Sequence, residues 1–286
     1  MSATFLNGKE IAAGLKAKIS LEVEALKAKH KKTPKLAALQ IGDNASSAVY
    51  VKAQETAAEA LGIDYELKVA PDTISQAGAE NLIKEMNKDD SVTAIILQLP
   101  VPKGIDGKRL INLISPSKDA ESITPENLGK IVSGQYSIAP CTAMAVMELL
   151  ASAKVDLYGK EAVVVGHSEI VGKPLALMLL NKFVTTTVCH IATGERGVLP
   201  EHVKRAEILI AAVGKPGIIK GDWIRDGAIV IDVGINRVGG KILGDVEFEA
   251  ASKRASYITP VPGGVGPLTT TMLMRNTVEL FKAGLK

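Results

Sequence analysis

The chain has 286 residues, 47% hydrophobic and 23% charged, with no long biased tract; this excludes a disordered or fibrous chain and supplies one large core or two moderate ones. Lys and Arg total 34 against 31 Asp and Glu, and the surplus of +3 is spread along the sequence, which excludes the concentrated basic surface of a nucleic-acid or membrane binder. A small-molecule partner fits better.

At the amino end Lys9 and Glu10 interrupt the apolar stretch that a secretory signal needs, and no run reaches the roughly 18 apolar residues of a membrane span. Residues 9–30 predict a helix whose basic end, His30 to Lys32, opposes the helix dipole. Then come a strand in KLAALQIG, a helix over 45–61 closed by Gly62, a strand in YELKVA, a helix over 75–88 and a buried strand in VTAIILQL. The alternation predicts a covered, mainly parallel sheet. APCTAMAVMELL opens a helix with Thr142 as a good N-cap and no strand directly before it, so a domain boundary is expected here. Further strands are expected in EAVVVG, TTTVCH, EILIAAVG and GAIVIDVG, followed by the loop TPVPGGVGP. A last helix, about 267–283, starts with Pro267 and carries Leu268, Met272, Leu273 and Leu280 for burial against the first domain. The expected domains are 1–140 plus 267–286, and 141–266.

Gly166, Gly214 and Gly234 each follow directly on an apolar run. In an open parallel sheet ligands bind outside the carboxyl ends of the strands, where glycine admits a phosphate or flat ring to the backbone. One such glycine is read equally well as an ordinary turn; three on one rim point to a long ligand. VVVGHSEIVGKP also feeds a helix whose first N–H groups can face an anion, which favours a dinucleotide, although Gly166 to Gly172 is not the usual G-x-G-x-x-G spacing.

Cys141 and Cys189 are the only cysteines, and their separation gives neither a disulfide framework nor zinc spacing, so a reducing cytoplasm is the expected home. Cys141, with no histidine base placed near it, reads as a packed cysteine rather than a nucleophile. Cys189 with His190 lacks further ligands, and no metal is assigned. Lys9 and Lys103 read as solvated.

ILQLPVP, VVVGHSEIVGKP, AAVGKPG, GAIVIDVGIN and YITPVPGGVGPLT resemble, in order and spacing, the signature segments of the bifunctional methylenetetrahydrofolate dehydrogenase and methenyltetrahydrofolate cyclohydrolase family. The resemblance implies two α/β domains with a cleft between them: an αβα folate-binding domain and a Rossmann-like nucleotide-binding domain. It also implies a homodimer, a tetrahydrofolate substrate and NADP or NAD as cofactor. Tyr50 matches the tyrosine that stacks along the folate, and Gln98 the glutamine that hydrogen-bonds near the reacting carbon. Leu99 and Pro100 match substrate contacts, and Pro262 and Gly263 the loop closing over the substrate. Gly166, Ser168 and Ile235 match cofactor contacts, and Thr142, His167, Ile191, Val213, Gly214 and Gly234 are assigned to the same cofactor side.

This sequence departs from the family pattern at three places. Gln54 stands where the family has a lysine that assists water addition; it shares a helix face with Tyr50 but carries no charge, whereas Lys52 points elsewhere. Losing acid–base assistance costs about 10² to 10⁴ in rate, while hydride transfer depends mainly on orientation. Dehydrogenase activity is therefore expected to persist and cyclohydrolase activity to be weak or absent. Glu121 stands where an aspartate binds the pterin; the bland alternative is a solvated loop carboxylate. His167 and Ile191 replace groups that hold the ribose 2′-phosphate, which leaves the choice between NADP and NAD open. The competing readings are a fully bifunctional enzyme, a folate- and nucleotide-binding regulatory module, and a dehydrogenase for another small substrate.

Overall fold

Apolar runs rich in Val, Ile, Leu and Ala form the inner parallel strands, buried on both faces. The structure, a computed structural model, describes residues 3–43 and 45–285, and the side chains of all of these but 45–47. In chain order the first half carries β1 (Thr4–Phe5), α1 (Gly8–His30), β2 (Lys35–Ile41), α2 (Ala45–Leu61), β3 (Asp64–Ala70), α3 (Gln76–Lys88), β4 (Ala94–Leu97), α4 (Gly107–Leu113) and α5 (Pro125–Val132). There follow α6 (Cys141–Ser152), β5 (Glu161–Val165), α7 (Gly172–Leu180), β6 (Thr185–Cys189), α8 (Ile191–Glu195), α9 (Leu199–Arg205), β7 (Ile208–Ala211) and β8 (Ile229–Asp232). The chain ends with β9 (Asn236–Val238), β10 (Lys241–Leu243), α10 (Phe248–Ala251), β11 (Tyr257–Ile258) and α11 (Val265–Gly284). Among the described residues no helix is long and apolar enough to cross a membrane.

The chain divides into two compact units, Gly14–Cys141 with Thr270–Lys286, and Met1–Ala13 with Thr142–Thr269. The first holds a parallel three-stranded sheet in the order β3-β2-β4. Leu39 and Ile41 of β2 and Ile95 and Leu97 of β4 join Ile83 and Met86 of α3 and Leu110 of α4 in one core. α3 starts where it does because Ser75 Oγ accepts from Gly78 N, and α4 because an Asp106 carboxylate oxygen accepts from Arg109 N. Beside β4 the chain returns as a short parallel bridge: Ile95 N donates to Lys118 O, and Ala120 N to Ile95 O. The loop that begins at Glu121 is thereby hung on the sheet.

The second unit holds a six-stranded sheet in the order β1-β11-β8-β7-β5-β6, parallel throughout. From β5 the chain moves outward to β6, then crosses back to β7 and β8, so its direction reverses between the neighbours β5 and β7. Such a switch point leaves a crevice at the carboxyl ends of the strands. The register brings Val165, Ala211 and Asp232 level with one another, and the turns that follow them share one rim.

Three expectations are corrected. Residues 1–13 group with the second unit, because β1 pairs with β11 through Thr4 N to Ser256 O and Leu6 N to Ile258 O; a two-residue strand carries no periodic signal. Helix α6 begins at Cys141, which places Thr142 inside its first turn rather than at the cap. Helix α11 begins at Val265, so Pro267 is its third residue, still within the turn whose N–H groups have no helical partner. The domain limits read at 140 and 266 fall in the structure at Cys141 and Thr269.

Leu39, central in β2, is fully buried. Leu39→Ala is expected to lower the unfolding free energy by about 2–5 kcal/mol, measured by urea titration; a loss below about 1 kcal/mol would show a loosely packed sheet face.

Candidate active site

In the first unit, Gln54 on α2 and Gln98 at the end of β4 meet although 44 residues separate them in sequence. Both are buried. Gln98 Nε2 donates to Gln54 Oε1 at 3.0 Å, and Gln54 Nε2 donates back to Gln98 Oε1 at 3.3 Å. The Tyr65 hydroxyl of β3 donates to the same Gln54 Oε1 at 3.3 Å. Position 54 thus serves two donors as an acceptor, which an amide can do and an ammonium group cannot. Burial, and secondarily the charge of Glu55, pushes the Tyr65 hydroxyl up to about 12, so it remains a donor. Lys52 is exposed and paired with Glu55 at 2.8 Å, so it does not stand in for the missing charge.

Tyr50, one turn before Gln54 on α2, is half-buried. Its hydroxyl is pushed well up, by burial first and then by Cys141, Glu121 and Tyr65, so the ring offers a neutral aromatic face. Gln98 is fixed through its backbone, Gln98 N to Leu39 O at 2.8 Å. The next two residues, Leu99 and Pro100, are exposed and joined by a cis peptide bond.

Glu121 occupies a loop fixed from both sides. Buried Asp119 accepts from Thr124 N at 2.8 Å and Asn127 Nδ2 at 3.1 Å. From α11, Asn276 Nδ2 donates to the carbonyls of Ala120 and Ala139 at 2.8 and 3.0 Å and lies 3.6 Å from Cys141 Sγ. Glu121 itself is half-buried, and desolvation, with a smaller contribution from Asp119, pushes its carboxyl up to about 8. Desolvation thus favours its protonated form. The Cys141 thiol is buried and raised by that burial, with Sγ facing Ala120 O at 3.7 Å, as expected of a packed cysteine.

In the second unit the three strand-end glycines have three different causes. A Cβ on Gly166, whose φ is +128°, would strike the Ala212 carbonyl of the neighbouring turn; one on Gly172 would strike the Gly166 carbonyl, where α7 starts against β5. At Gly234 a Cβ would strike the Asp245 carboxylate. Gly214, at φ +68°, has open space over its α carbon, so close packing accounts for Gly166 and Gly234 and a left-handed backbone for Gly214.

Gly166, His167, Ser168, Ile191 and Val213 line a cavity of about 1060 Å³ at the switch point. The sequence reading missed further lining residues, among them Glu169, Lys173, His190, Glu195, Lys215 and Trp223. Their only advance signal was proximity to the turns. The rings of His167 and His190 lie 5.4 Å apart, and exposed Ile191 offers no polar atom. Ser168 Oγ accepts from Val171 N at 3.1 Å, tightening the turn into α7. Among the described residues the lining does not include Thr142, Gly214, Gly234 or Ile235. Pro262 and Gly263 belong to this second unit, behind a cis Val261–Pro262 bond; a Cβ on Gly8 would strike Gly264 O, so the start of α1 lies against their loop.

A parallel sheet with a spacious cavity at its switch point defines a dinucleotide-binding unit, joined here to a second α/β unit bearing buried amides and a raised carboxyl. The chain belongs to the tetrahydrofolate dehydrogenase/cyclohydrolase family: residues 6–121 match its catalytic domain and residues 140–285 its NAD(P)-binding domain. It is 47% identical over 277 residues to the bifunctional protein FolD of Nitratiruptor sp., covering 97% of both chains. The crystal structure of the bifunctional enzyme from Campylobacter jejuni superimposes with a TM-score of 0.95 at 42% identity, covering 99% of this chain and 100% of that one. The Trypanosoma brucei enzyme, complexed with NADP and an inhibitor, gives 0.94 at 37% identity, covering 100% and 99%. The family and two-part α/β fold expected from the sequence are those found.

Between the ordinary carboxylate range and about 8, Glu121 keeps in the folded state a proton that the unfolded chain releases, so folding stability falls as pH rises through that window. Glu121→Gln removes this dependence. The variant's melting temperature is expected to gain on the unmodified protein between pH 5 and pH 8.5; parallel curves would refute the raised carboxyl.

Proposed function

We propose that the protein is an NAD(P)-dependent 5,10-methylenetetrahydrofolate dehydrogenase whose methenyltetrahydrofolate cyclohydrolase activity is weak or absent. The observation that carries this reading is the buried amide pair of Gln54 and Gln98, uncharged and mutually satisfied. An amide neither takes up a proton nor supplies a cationic field, so water addition to the methenyl carbon loses about 10² to 10⁴ in rate. Hydride removal asks less of the protein, because the two folate nitrogens stabilise the cation that forms. Gln98 and Gln54 hold the folate's reacting region in register, and Tyr50 presents its ring to the planar ligand. Glu121, protonated at neutral pH, can donate a hydrogen bond to the pterin where an ionised aspartate would only accept.

The second unit suits a dinucleotide on its own geometry. The N–H groups at the start of α7, Ser168, and the ammonium groups of Lys173 and Lys215 collect donors for a pyrophosphate, and the space over Gly214 admits a flat group. When bound, the nicotinamide accepts the hydride. His167 and His190 supply imidazole donors without the planar fork of an arginine, so both NADP and NAD are accepted. A homodimer is supported by edge strand β6, beside which exposed Tyr158 and Phe183 lie with tilted rings 5.5 Å apart. The two buried free cysteines suit the reducing cytoplasm.

Both half-reactions are to be measured spectrophotometrically with each nucleotide. The expected result is methenyl formation with NAD and NADP, and methenyl hydrolysis close to the buffer rate. Gln54→Lys is expected to raise hydrolysis by at least about 10²-fold while hydride transfer stays within about threefold. Rapid hydrolysis by the unmodified protein would instead favour the bifunctional reading that the names of its relatives carry, and absence of hydride transfer would favour a binding module.

A further inference from the structure

The turn after β7 is held by an anion that the protein itself supplies. Val213, Gly214 and Lys215 are exposed, yet their three successive backbone N–H groups all point at one fully buried carboxylate, that of Asp245. Val213 N and Gly214 N donate to Oδ2 at 2.7 and 3.0 Å, and Lys215 N to Oδ1 at 2.8 Å. Asn236 Nδ2, at the base of the β9–β10 hairpin, donates to Oδ1 at 2.9 Å. A run of N–H groups converging in this way is the geometry of an anion-binding nest.

A second buried carboxylate seats the first. Asp232, the last residue of β8, accepts from Gly234 N and Asp245 N on Oδ1 and from Val246 N on Oδ2, each at 2.9 Å. The backbone is shaped around both groups: a Cβ on Gly244 would strike the Asp232 carboxylate, as one on Gly234 would strike Asp245. Val213 and Lys215 line the large cavity at the switch point.

We infer that Asp245 is a positioning residue for the nucleotide: its carboxylate, seated by Asp232, fixes the Val213–Lys215 turn in the shape that receives the ligand. The inference rests on the reading of this cavity as the NAD(P) site. The chemistry requires a carboxylate, because four donors need two oxygens accepting twice each. An asparagine keeps the shape but has one acceptor oxygen and turns an NH₂ toward two of the donors.

The chain's single tryptophan, Trp223, lines the same cavity, so quenching of its fluorescence reports nucleotide binding directly. In Asp245→Asn the dissociation constant for NAD or NADP is expected to rise about tenfold or more, while kcat at saturating nucleotide changes less than about threefold. Hydrogen exchange at residues 213–215 without nucleotide is expected to quicken at least about tenfold. A purely structural role would lower the melting temperature and leave the affinity of the folded protein unchanged, and that result overturns the inference alone. Absence of quenching of the unmodified protein by either nucleotide removes the nucleotide reading and the inference with it. Should the variant fail to fold, the unmodified protein decides by exchange: protected amides at 213–215 on an exposed turn uphold the carboxylate's hold, and free exchange there overturns it.

Discussion

Every strand in a parallel sheet runs the same way, so the loops leaving the carboxyl ends collect along one rim, and both units of this protein are built on that constraint. In the first it delivers Gln98 from the end of β4, backbone-bonded to Leu39 of β2. In the second it sets the turns after β5, β7 and β8 level with each other. The approach is close enough at Gly166 that no side chain fits between it and the Ala212 carbonyl. Helices complete each rim from the sequence's own punctuation: α2 ends at Gly62 with φ +70°, and α7 begins at Gly172, pressed on the strand turn.

Position 54 shows how a change of one side chain alters a site's chemistry without disturbing its packing. The amide is enclosed, satisfied at both polar atoms, and tied to two strands through Gln98 and Tyr65. An ammonium group in that enclosure would face the Tyr65 hydroxyl and the Gln98 amide as fellow donors, and each would have to turn. Burial would also oppose its charge. Glu121 shows the converse: in a loop pinned by Asp119 and Asn276, desolvation raises its carboxyl and favours the uncharged form.

The long elements were legible in the sequence because each spans several periods of its pattern. α1, α2, α3 and the strands of both sheet centres lie within a few residues of their expected limits. What escaped was short or non-local. β1 has two residues, the β9–β10 hairpin three in each arm, and α8 and α10 five and four, fewer than a period can reveal. Of the site, Tyr50, Gln54, Gln98 and Glu121 were singled out by resemblance, but the reciprocal amide bond joins residues 44 apart and could not be read along the chain. Gly234 was picked out for a reason that the structure changes, since the group it accommodates, Asp245, lies in a segment with no recognisable pattern. Lys173, Lys215 and Trp223 enter the cavity only once the turns are folded.

The internally filled turn after β7 also gives the second unit's rim a direction. A phosphate drawn toward residues 213–215 would meet N–H groups already saturated, with a buried negative charge behind them. The N–H groups that open α7 are farther along the rim, accompanied by Lys173. The backbone donors that this rim leaves for an anion are therefore those that open α7, whereas the turn after β7 offers the side chain of Lys215.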